Sequence, residues 1–268
     1  MIKETVKKIN VPFLSSFLYS LYGLLKYRRL CWVLFDDVWI HRYLDGIMVN
    51  PKLYLKRSMS SMVSEAIDYY FNQYMPKAGD IVIDVGAGIG IETLVSSQKV
   101  GPTGLVLAVE AHPRTFLCLK KLCKYNKLNN VIPINCAITD QEDSKVIIEN
   151  NDMYISNSIM TNNKGIKVPC TTLDQLIRRH KISKVDFLKM NIEGAEKIAI
   201  IGMKESIGLV KNVLIACHDF KAERDGLEFM RTRNNVSSFL KSYGFTLDRR
   251  ENDPRPWIRD HVYGRRSG

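Results

Sequence analysis

The chain has 268 residues, enough for one large α/β domain and an N-terminal extension, because domains usually contain about 100–200 residues. Hydrophobic residues account for 46% and charged residues for 25% of the sequence, which excludes a wholly disordered protein. The formal net charge of +11 suits an anionic partner, such as nucleic acid, an acidic membrane or a negatively charged substrate, although a basic surface also serves solubility alone.

Residues 1–60 differ in composition from the rest of the chain and are predicted to form an extension with a helix and a short hairpin. The apolar stretch Val11–Phe35 is interrupted by Lys26, Arg28 and Arg29, so it lacks the roughly 20 uninterrupted apolar residues that span a bilayer. Lysines precede this stretch as in a signal peptide, but no small-residue cleavage site follows. Two alternatives stay open: a helix packed on the domain or on a sister subunit of a homo-oligomer, or an interfacial helix on an anionic membrane.

Residues 61–268 are predicted to form one domain in which strands and helices alternate, after a hairpin around Ile47–Leu55 with Asn50 and Pro51 at its turn. The predicted strands are Ile81–Val85, Leu105–Glu110, Val131–Ala137, Lys145–Glu149, Ile166–Cys170, Val185–Met190, Val213–Cys217, Phe245–Arg249 and an edge strand at His261–Tyr263. The predicted helices are Ser61–Tyr74, Ile89–Lys99, Pro113–Lys127, Thr171–His180, Ala195–Met203 and Gly226–Tyr243. This alternation indicates a Rossmann-like, doubly wound α/β fold with a mainly parallel, seven-stranded sheet covered on both faces.

The cysteines of the sequence lie singly and mostly in apolar runs. They are Cys31, Cys118, Cys123, Cys136, Cys170 and Cys217. The sequence contains no Cys-x-x-Cys pair and no Cys/His cluster at zinc spacing, so no metal site is predicted. Buried, reduced thiols in a cytoplasmic protein are the simplest interpretation.

A glycine-rich segment, Ile83–Gly90, lies between a buried strand and a helix, which is the context of a nucleotide-binding turn. Glycines let the backbone come close to a ligand. The first strand ends near Asp84 and the second ends in Glu110, whose carboxylate can accept both ribose hydroxyls of an adenosine ligand. The segment therefore predicts an adenosine-containing cofactor. The alternative is that the glycines only form a tight turn.

The glycine spacing distinguishes between cofactors, because nicotinamide enzymes share the acidic residue. A dinucleotide site needs Gly-x-Gly-x-x-Gly, whereas no glycine stands three residues after Gly88. Asp84 would repel a pyrophosphate and suits the ammonium group of a methionine moiety, so S-adenosyl-L-methionine fits better. The apolar end of the third strand, at Ala137, is expected over the adenine. The predicted binding residues are Asp84, Gly86, Ala87, Gly88, Glu110, Ala111 and Ala137.

Four segments together resemble the FkbM family of methyltransferases over about residues 60–250. They are Asp84–Gly90, Val109–Pro113, Thr172–Asp174 and Asp186–Glu196. The resemblance implies a class I methyltransferase fold and transfer of a methyl group from S-adenosylmethionine, usually to a hydroxyl group of a sugar, glycan or natural product. Where the family usually has an aspartate after the fourth strand, this chain has Asn191. Its amide can hydrogen-bond the cofactor or substrate but cannot serve as a base or bring a full charge to a metal.

Methyl transfer to a hydroxyl requires alignment of the acceptor oxygen and usually removal of its proton. His218, after the fifth strand, is the first choice for the catalytic base, because histidine titrates near neutrality, and Glu193, after the fourth strand, is the second. The alternatives are structural: a hydrogen-bonding role for His218 and capping of the next helix by Glu193. Glu196 is predicted to orient a partner or face solvent, and Asp174 to organise its own helix.

Two other functions compete with this one. A nucleic-acid methyltransferase would suit the positive charge, but Asn-Ile-Glu-Gly after the fourth strand differs from the Asn/Asp-Pro-Pro-aromatic stretch that clamps a flipped base. Nucleic acid is therefore not the expected partner. A non-catalytic cofactor-binding module has only Asn191 in its favour. We expect a hydroxyl-bearing small molecule or glycan as acceptor and a cytoplasmic location, with peripheral membrane contact left open. The polar loop between Glu149 and Ile166 is expected to be either an acceptor lid or a disordered connection.

Overall fold

The structure is a computed structural model that describes residues 12–28, 30–149 and 165–266. The strands are β1 (Trp32–Asp36), β2 (Val38–Tyr43), β3 (Gly46–Asn50), β4 (Ile81–Val85), β5 (Leu105–Val109), β6 (Val131–Ile134), β7 (Ala137–Ile138), β8 (Ser144–Ile148), β9 (Ile166–Thr171), β10 (Val185–Met190), β11 (Val210–Ala216), β12 (Thr246–Asp248) and β13 (His261–Arg265). The α-helices are α1 (Pro12–Tyr27), α2 (Met59–Tyr70), α3 (Ile91–Val100), α4 (Pro113–Tyr125), α5 (Leu173–Arg179), α6 (Glu196–Ala199), α7 (Asp219–Asp225), α8 (Arg233–Ser242) and α9 (Pro256–Arg259). Short 3-10 helices lie at Ile201–Met203, Ile207–Leu209 and Glu228–Met230. The loop between Glu149 and Ile166, for which an acceptor lid and a disordered connection were both predicted as alternatives, falls largely outside the described residues.

The central sheet has seven strands in the order β12-β13-β11-β10-β4-β5-β6. The pairings from β11 through β10, β4 and β5 to β6 are parallel, and β13 is antiparallel to both β11 and β12. The prediction of a mainly parallel, seven-stranded Rossmann-like sheet is confirmed. The strand order reverses between β4 and β10, and ligands of such sheets bind outside the carboxyl ends at this point.

Strand β4 shows how the sheet separates two hydrophobic cores. Ile83 and Val85 pack in the core that includes residues of α5 and α8. Val82 packs on the other face, in a core that includes residues of α2, α3 and α4. Because alternate residues of a strand point to opposite faces, a continuously apolar strand is covered on both sides.

The N-terminal residues form an antiparallel sheet, β1-β2-β3, next to α1. Its hairpin turns at Leu44 and Asp45, not at Asn50 and Pro51, so the predicted position of the hairpin was wrong. The Asn50 side chain instead accepts a hydrogen bond from the Lys52 amide, 3.1 Å away, just after β3 ends. Asn50 and Pro51 therefore mark the end of β3, the second strand of the hairpin, and not the turn between β2 and β3.

This N-terminal sheet is joined to the larger sheet by shared core and by Asn126. Residues of β2 and β3 pack in the same core as α2 and α3. Asn126, after α4, accepts a hydrogen bond from the Ile47 amide at 3.0 Å and donates one to the Ile47 carbonyl at 2.7 Å. One side chain thus satisfies both backbone polar groups of a residue in β3.

Replacing Asn126 with alanine is expected to lower the free energy of unfolding by about 1–3 kcal/mol, because the amide and carbonyl of Ile47 would lose their partners. Urea denaturation of the two proteins measures this difference. Asn129→Ala, three residues beyond the helix cap at Asn126, is a suitable control. An equal loss in both variants would show that the contact with Ile47 does not stabilise the N-terminal sheet.

Three further predicted elements differ from the structure. The strand predicted at Val131–Ala137 divides into β6 and β7, and β7 pairs with β9 in a separate sheet with β8. The strand predicted at an edge, His261–Tyr263, is β13 and lies between β11 and β12. The helix predicted at Gly226–Tyr243 begins only at Arg233, where Asp219 accepts hydrogen bonds from the Thr232 and Arg233 amides at 3.0 Å each.

Among the residues that the structure describes, no helix has the length and apolar character needed to cross a membrane. All six cysteines are buried and free, as the sequence predicted for reduced thiols.

Candidate functional site

A cavity of about 270 Å³ lies at the carboxyl ends of β4, β5 and β10. It is at the reversal of strand order, where the predicted cofactor residues converge. The predicted residues in its wall are Gly86, Gly88, Glu110, Ala111, Ala137, Asn191 and Glu193. Asp84, Ala87 and His218 lie behind this wall.

The glycine turn after β4 is fitted closely to the end of β10. Gly86 has a φ of +72°, and a Cβ atom there would lie 1.9 Å from the carbonyl oxygen of Asn191. The amides of Gly86 and Ala87 both donate to the Val109 carbonyl at 2.9 Å. Gly86 is therefore required by both its conformation and the close approach of two strand ends. Ala87 is fully buried against Ala108 on the helix side of the turn, so it shapes the turn but does not face the cavity.

Glu110 fastens the glycine turn to the end of β5. One carboxylate oxygen accepts a hydrogen bond from the Gly88 amide at 2.9 Å, and the other accepts one from the His112 amide at 2.8 Å. Burial raises the pKa of Glu110 to about 7, although these two hydrogen bonds oppose the shift. Each carboxylate oxygen keeps a further lone pair, so Glu110 can also accept ribose hydroxyls.

Lys189, on β10, forms a buried ion pair that sequence reasoning missed. Its ammonium group lies 3.0 Å from Asp84 Oδ1 and donates to the Gly86 carbonyl at 2.9 Å. Thr93 donates to the other oxygen of Asp84 at 2.7 Å. Burial lowers the pKa of Lys189, but the charges of Asp84 and Glu92 outweigh burial and raise it overall. The signal in the sequence was a lysine within a strand that is buried along its whole length.

The Lys189 pair changes the interpretation of Asp84. The carboxylate already has a cationic partner and is 1% exposed, so it is not placed to receive the ammonium group of a methionine moiety directly. Lys189 itself lines the cavity. Of the two paired groups, the cavity therefore exposes Lys189 and not Asp84.

Asn191 presents an amide oxygen without a partner to the cavity. Its Nδ2 donates to the Tyr70 hydroxyl at 2.9 Å, while its buried Oδ1 has no hydrogen-bond partner among the described residues. Tyr70 stacks on His261, with ring centroids 5.4 Å apart, and its hydroxyl comes from α2, outside the motifs of the sequence analysis. Since buried acceptors are normally satisfied, the free oxygen of Asn191 indicates a place for a ligand donor.

Glu193 and His218 belong to a buried cluster of charges beside the cavity. His218 Nε2 lies 3.3 Å from Glu193 and its Nδ1 lies 3.4 Å from Glu196. Lys221 also pairs with Glu193. Burial opposes protonation of His218, but the two carboxylates outweigh it and raise its pKa to about 9. His218 is therefore a cation at neutral pH.

This arrangement favours Glu193 over His218 as the group that meets an acceptor. Burial raises the pKa of Glu193, but the hydrogen bond and charge of His218, together with Lys221, lower it overall. Glu193 is therefore an ionised carboxylate in the cavity wall. Its backbone has a φ of +54°, an uncommon conformation for a residue other than glycine, which holds it at the strand end. The alternative prediction was that Glu193 caps the next helix. The structure shows no side-chain cap at the start of that helix.

Two other acidic residues have structural contacts. Glu196 is fully buried and accepts hydrogen bonds from the Ile192 and Gly194 amides at 3.4 and 3.3 Å, so it organises the turn after β10 and orients His218. Asp174 was predicted to organise its own helix. It accepts hydrogen bonds from the amides of residues 205 and 206 instead, at 3.2 and 2.7 Å. Thr172 caps that helix.

Protonation of His218 predicts a pH-dependent stability. Its pKa in the folded protein, about 9, lies above the value of 6.5 for an ordinary histidine. The stabilisation is therefore complete below about pH 6.5 and is lost as the pH rises through about 9. We expect the free energy of unfolding to fall more steeply over this range in the parent protein than in His218→Gln, as measured by urea denaturation. Parallel slopes in the two proteins would contradict the buried cation.

Residues 84–247 match the family model of the methyltransferase FkbM domain. The chain belongs to the FkbM methyltransferase family. The hexuronic acid methyltransferase AglP of Haloferax volcanii is 21% identical over 178 residues, which cover 65% of this FkbM methyltransferase and 72% of AglP. A tRNA(Phe) (4-demethylwyosine(37)-C(7)) aminocarboxypropyltransferase of Methanocaldococcus jannaschii is 38% identical over 69 residues, 26% of this chain and 27% of that enzyme.

The crystal structure of a methyltransferase FkbM from Methylobacillus flagellatus KT has a TM-score of 0.52 at 14% identity. The similarity covers 98% of this chain and 57% of that protein, and it shows the shared fold alone. The resemblance in the sequence motifs is thus confirmed. This FkbM methyltransferase is an S-adenosylmethionine-dependent enzyme of class I fold.

The cavity residues fit S-adenosylmethionine, which supplies a methyl group activated on a sulfonium. The turn at Gly86 leaves no room for a side chain, and the buried Asn191 Oδ1 is available as an acceptor. Glu110 would hold the ribose hydroxyls, the apolar wall at Ala137 would contact the adenine, and Lys189 would attract the carboxylate of the methionine moiety. Within the described residues, no group of three or more histidine, cysteine or acidic side chains is placed to hold a metal ion.

Proposed function

We propose that this FkbM methyltransferase methylates a hydroxyl group of a sugar or glycan. The observation that carries the proposal is the ionised carboxylate of Glu193, which lines the cavity beside the cofactor residues. A carboxylate can hydrogen-bond an acceptor hydroxyl and take its proton. The activity in the name of AglP, a hexuronic acid methyltransferase, supports a sugar as the substrate class.

In the proposed reaction a C–O bond forms between the acceptor and the methyl group as the C–S bond of the cofactor breaks. Glu193 would take the hydroxyl proton, and bound S-adenosylmethionine would supply the methyl group from its sulfonium, which becomes a neutral thioether. His218 and Lys221 hold the Glu193 carboxylate in place by ion pairs on either oxygen. His218 therefore acts as a positioning residue behind Glu193, and Asn191 Oδ1 offers a second acceptor for a ligand donor.

The test uses S-adenosylmethionine with a deuterated methyl group and panels of neutral sugars, uronic acids and lipid-linked glycans, with product analysis by mass spectrometry. We expect the label on a sugar oxygen, in a product that resists mild alkali. A methyl ester would be cleaved by that treatment, and label on tRNA nucleosides in a parallel reaction would point to the nucleic-acid alternative. Either of these results without a labelled ether would overturn the proposal.

Replacing Glu193 with glutamine is expected to lower kcat by about 10²–10⁴-fold, because the amide cannot take the hydroxyl proton. The affinity for S-adenosylhomocysteine should change little, since that ligand carries no acceptor. Glu223→Gln, on the exposed surface of α7, is the matched control. Full activity of the Glu193 variant on the identified acceptor would rule out a role for this carboxylate in proton removal.

A further inference from the structure

Helix α1 carries an apolar stripe on its solvent-facing side. We define the apolar stripe as Phe17, Leu21, Leu24 and Leu25, which are exposed at 45%, 40%, 42% and 70%. These positions lie along one side of a helix. The opposite side, which includes Tyr19, is buried. Helix α1 therefore buries one side against the protein and leaves an apolar side facing outward.

The apolar stripe continues onto the neighbouring strand. The ring of Trp32, at the start of β1, lies 6.4 Å from the ring of Phe17 and is 40% exposed. Leu30, in the connection between α1 and β1, is 63% exposed. Exposed apolar side chains that are scattered singly are common on proteins, whereas a contiguous patch marks an interaction surface. Tryptophan is also one of the two residue types, with tyrosine, that are enriched at membrane–water interfaces.

The charges around the apolar stripe are positive. Lys26 and Arg28 are exposed where α1 ends. The acidic side chain of Asp36 lies at the far end of β1 and pairs with Lys121 at 2.5 Å. The whole chain carries a formal net charge of +11. An anionic surface therefore complements both the patch and the protein that carries it.

We propose that the apolar stripe and Trp32 bind the interface of an anionic lipid bilayer, with α1 lying parallel to the membrane plane. A 16-residue helix is about 24 Å long, which suits an interfacial position and is too short to cross a hydrocarbon core of about 30 Å. A second copy of the chain fits less well, because each copy carries the same formal net charge of +11. The inference does not depend on the identity of the methyl acceptor.

Sedimentation with vesicles tests this proposal. We expect the full-length protein to bind vesicles of phosphatidylcholine with 30% phosphatidylglycerol at least about tenfold more tightly than vesicles of phosphatidylcholine alone, and less tightly as salt increases. The double variant Leu21→Glu/Leu25→Glu should bind the anionic vesicles at least about tenfold more weakly, because two apolar side chains are replaced by charged ones. The double variant Lys26→Gln/Arg28→Gln should bind the anionic vesicles at least about tenfold more weakly than the parent, because two positive charges are removed.

Ile201→Glu is the matched control, since Ile201 is exposed at 48% on another element, after α6. Its vesicle binding should equal that of the parent, and S-adenosylhomocysteine binding should be retained in every variant as a measure of folding. Equal binding of the parent and the Leu21/Leu25 variant would overturn the proposal. The proposal would also be overturned if the parent did not bind vesicles but formed a concentration-dependent dimer in sedimentation equilibrium, and the Leu21/Leu25 variant did not form that dimer.

Discussion

Replacing Lys189 with methionine is expected to lower the free energy of unfolding by about 3–5 kcal/mol at neutral pH. The substitution would leave Asp84 buried without its cationic partner, 3.0 Å away, and breaking a buried ion pair costs more than removing both of its charges. The Gly86 carbonyl would lose its donor as well. Urea denaturation monitored by circular dichroism measures the loss, and a second spectroscopic probe checks that unfolding remains two-state.

The double variant Lys189→Met/Asp84→Asn separates the charge from the shape of the site. We expect it to recover part of the lost stability, because the asparagine can still accept a hydrogen bond from Thr93 without a buried charge. Lys204→Met, at an exposed position, should stay within about 0.5 kcal/mol of the parent. If Lys189→Met were as harmless as Lys204→Met, the ion pair would not support the glycine turn.

Replacing Glu110 with alanine is expected to weaken the binding of S-adenosylhomocysteine by about 100-fold, measured by calorimetric titration. The variant loses the carboxylate that we expect to accept the ribose hydroxyls, and it loses the link between the Gly88 amide and the end of β5. Two charge-assisted hydrogen bonds of about 1.5–3 kcal/mol each total about 3–6 kcal/mol, so a loss of about 100-fold is the lower end of the expected range. NAD and NADP should not bind the parent protein at comparable concentrations.

Glu110→Gln is a sharper probe of the same contact, because both carboxylate oxygens accept backbone amides. A glutamine would turn its NH2 group towards one of these amides, so we expect weaker binding from this variant too. Glu205→Ala, which removes an exposed carboxylate far along the chain, is the control. Unchanged affinity in Glu110→Ala would mean that the ribose is held elsewhere and that the interpretation of the β5 end is wrong.

The cofactor site was predictable where its parts are local in sequence. The alternation around Ile81–Val85 predicts a strand, and the glycines that follow predict a turn, because both depend on short-range geometry. The position of Glu110 could also be predicted, because adjacent parallel strands end at the same edge of a sheet. The parallel sheet and the family motifs could therefore be anticipated from residues that are close along the chain.

Elements that depend on distant partners were missed or misplaced. Strand β13 is last in the chain but lies inside the sheet, because its pairing with β11 involves residues about fifty positions apart. The partner of Asn191 is Tyr70, 121 positions away, and no local pattern points from one to the other. The hairpin turn was misplaced because Asn50-Pro51 signals a turn without saying which strand it ends.

By itself, the sequence determined most of the strand and helix pattern, the glycine turn and the acidic residue at the end of β5. Only the tertiary structure decided that Asp84 is paired with Lys189 and that His218 is a cation between two carboxylates. Periodicity and turns arise from neighbouring residues, so they can be read along the chain. The pKa values of His218 and Glu193 depend on burial and on nearby charges. Both come from residues that are distant along the chain and are brought together by folding.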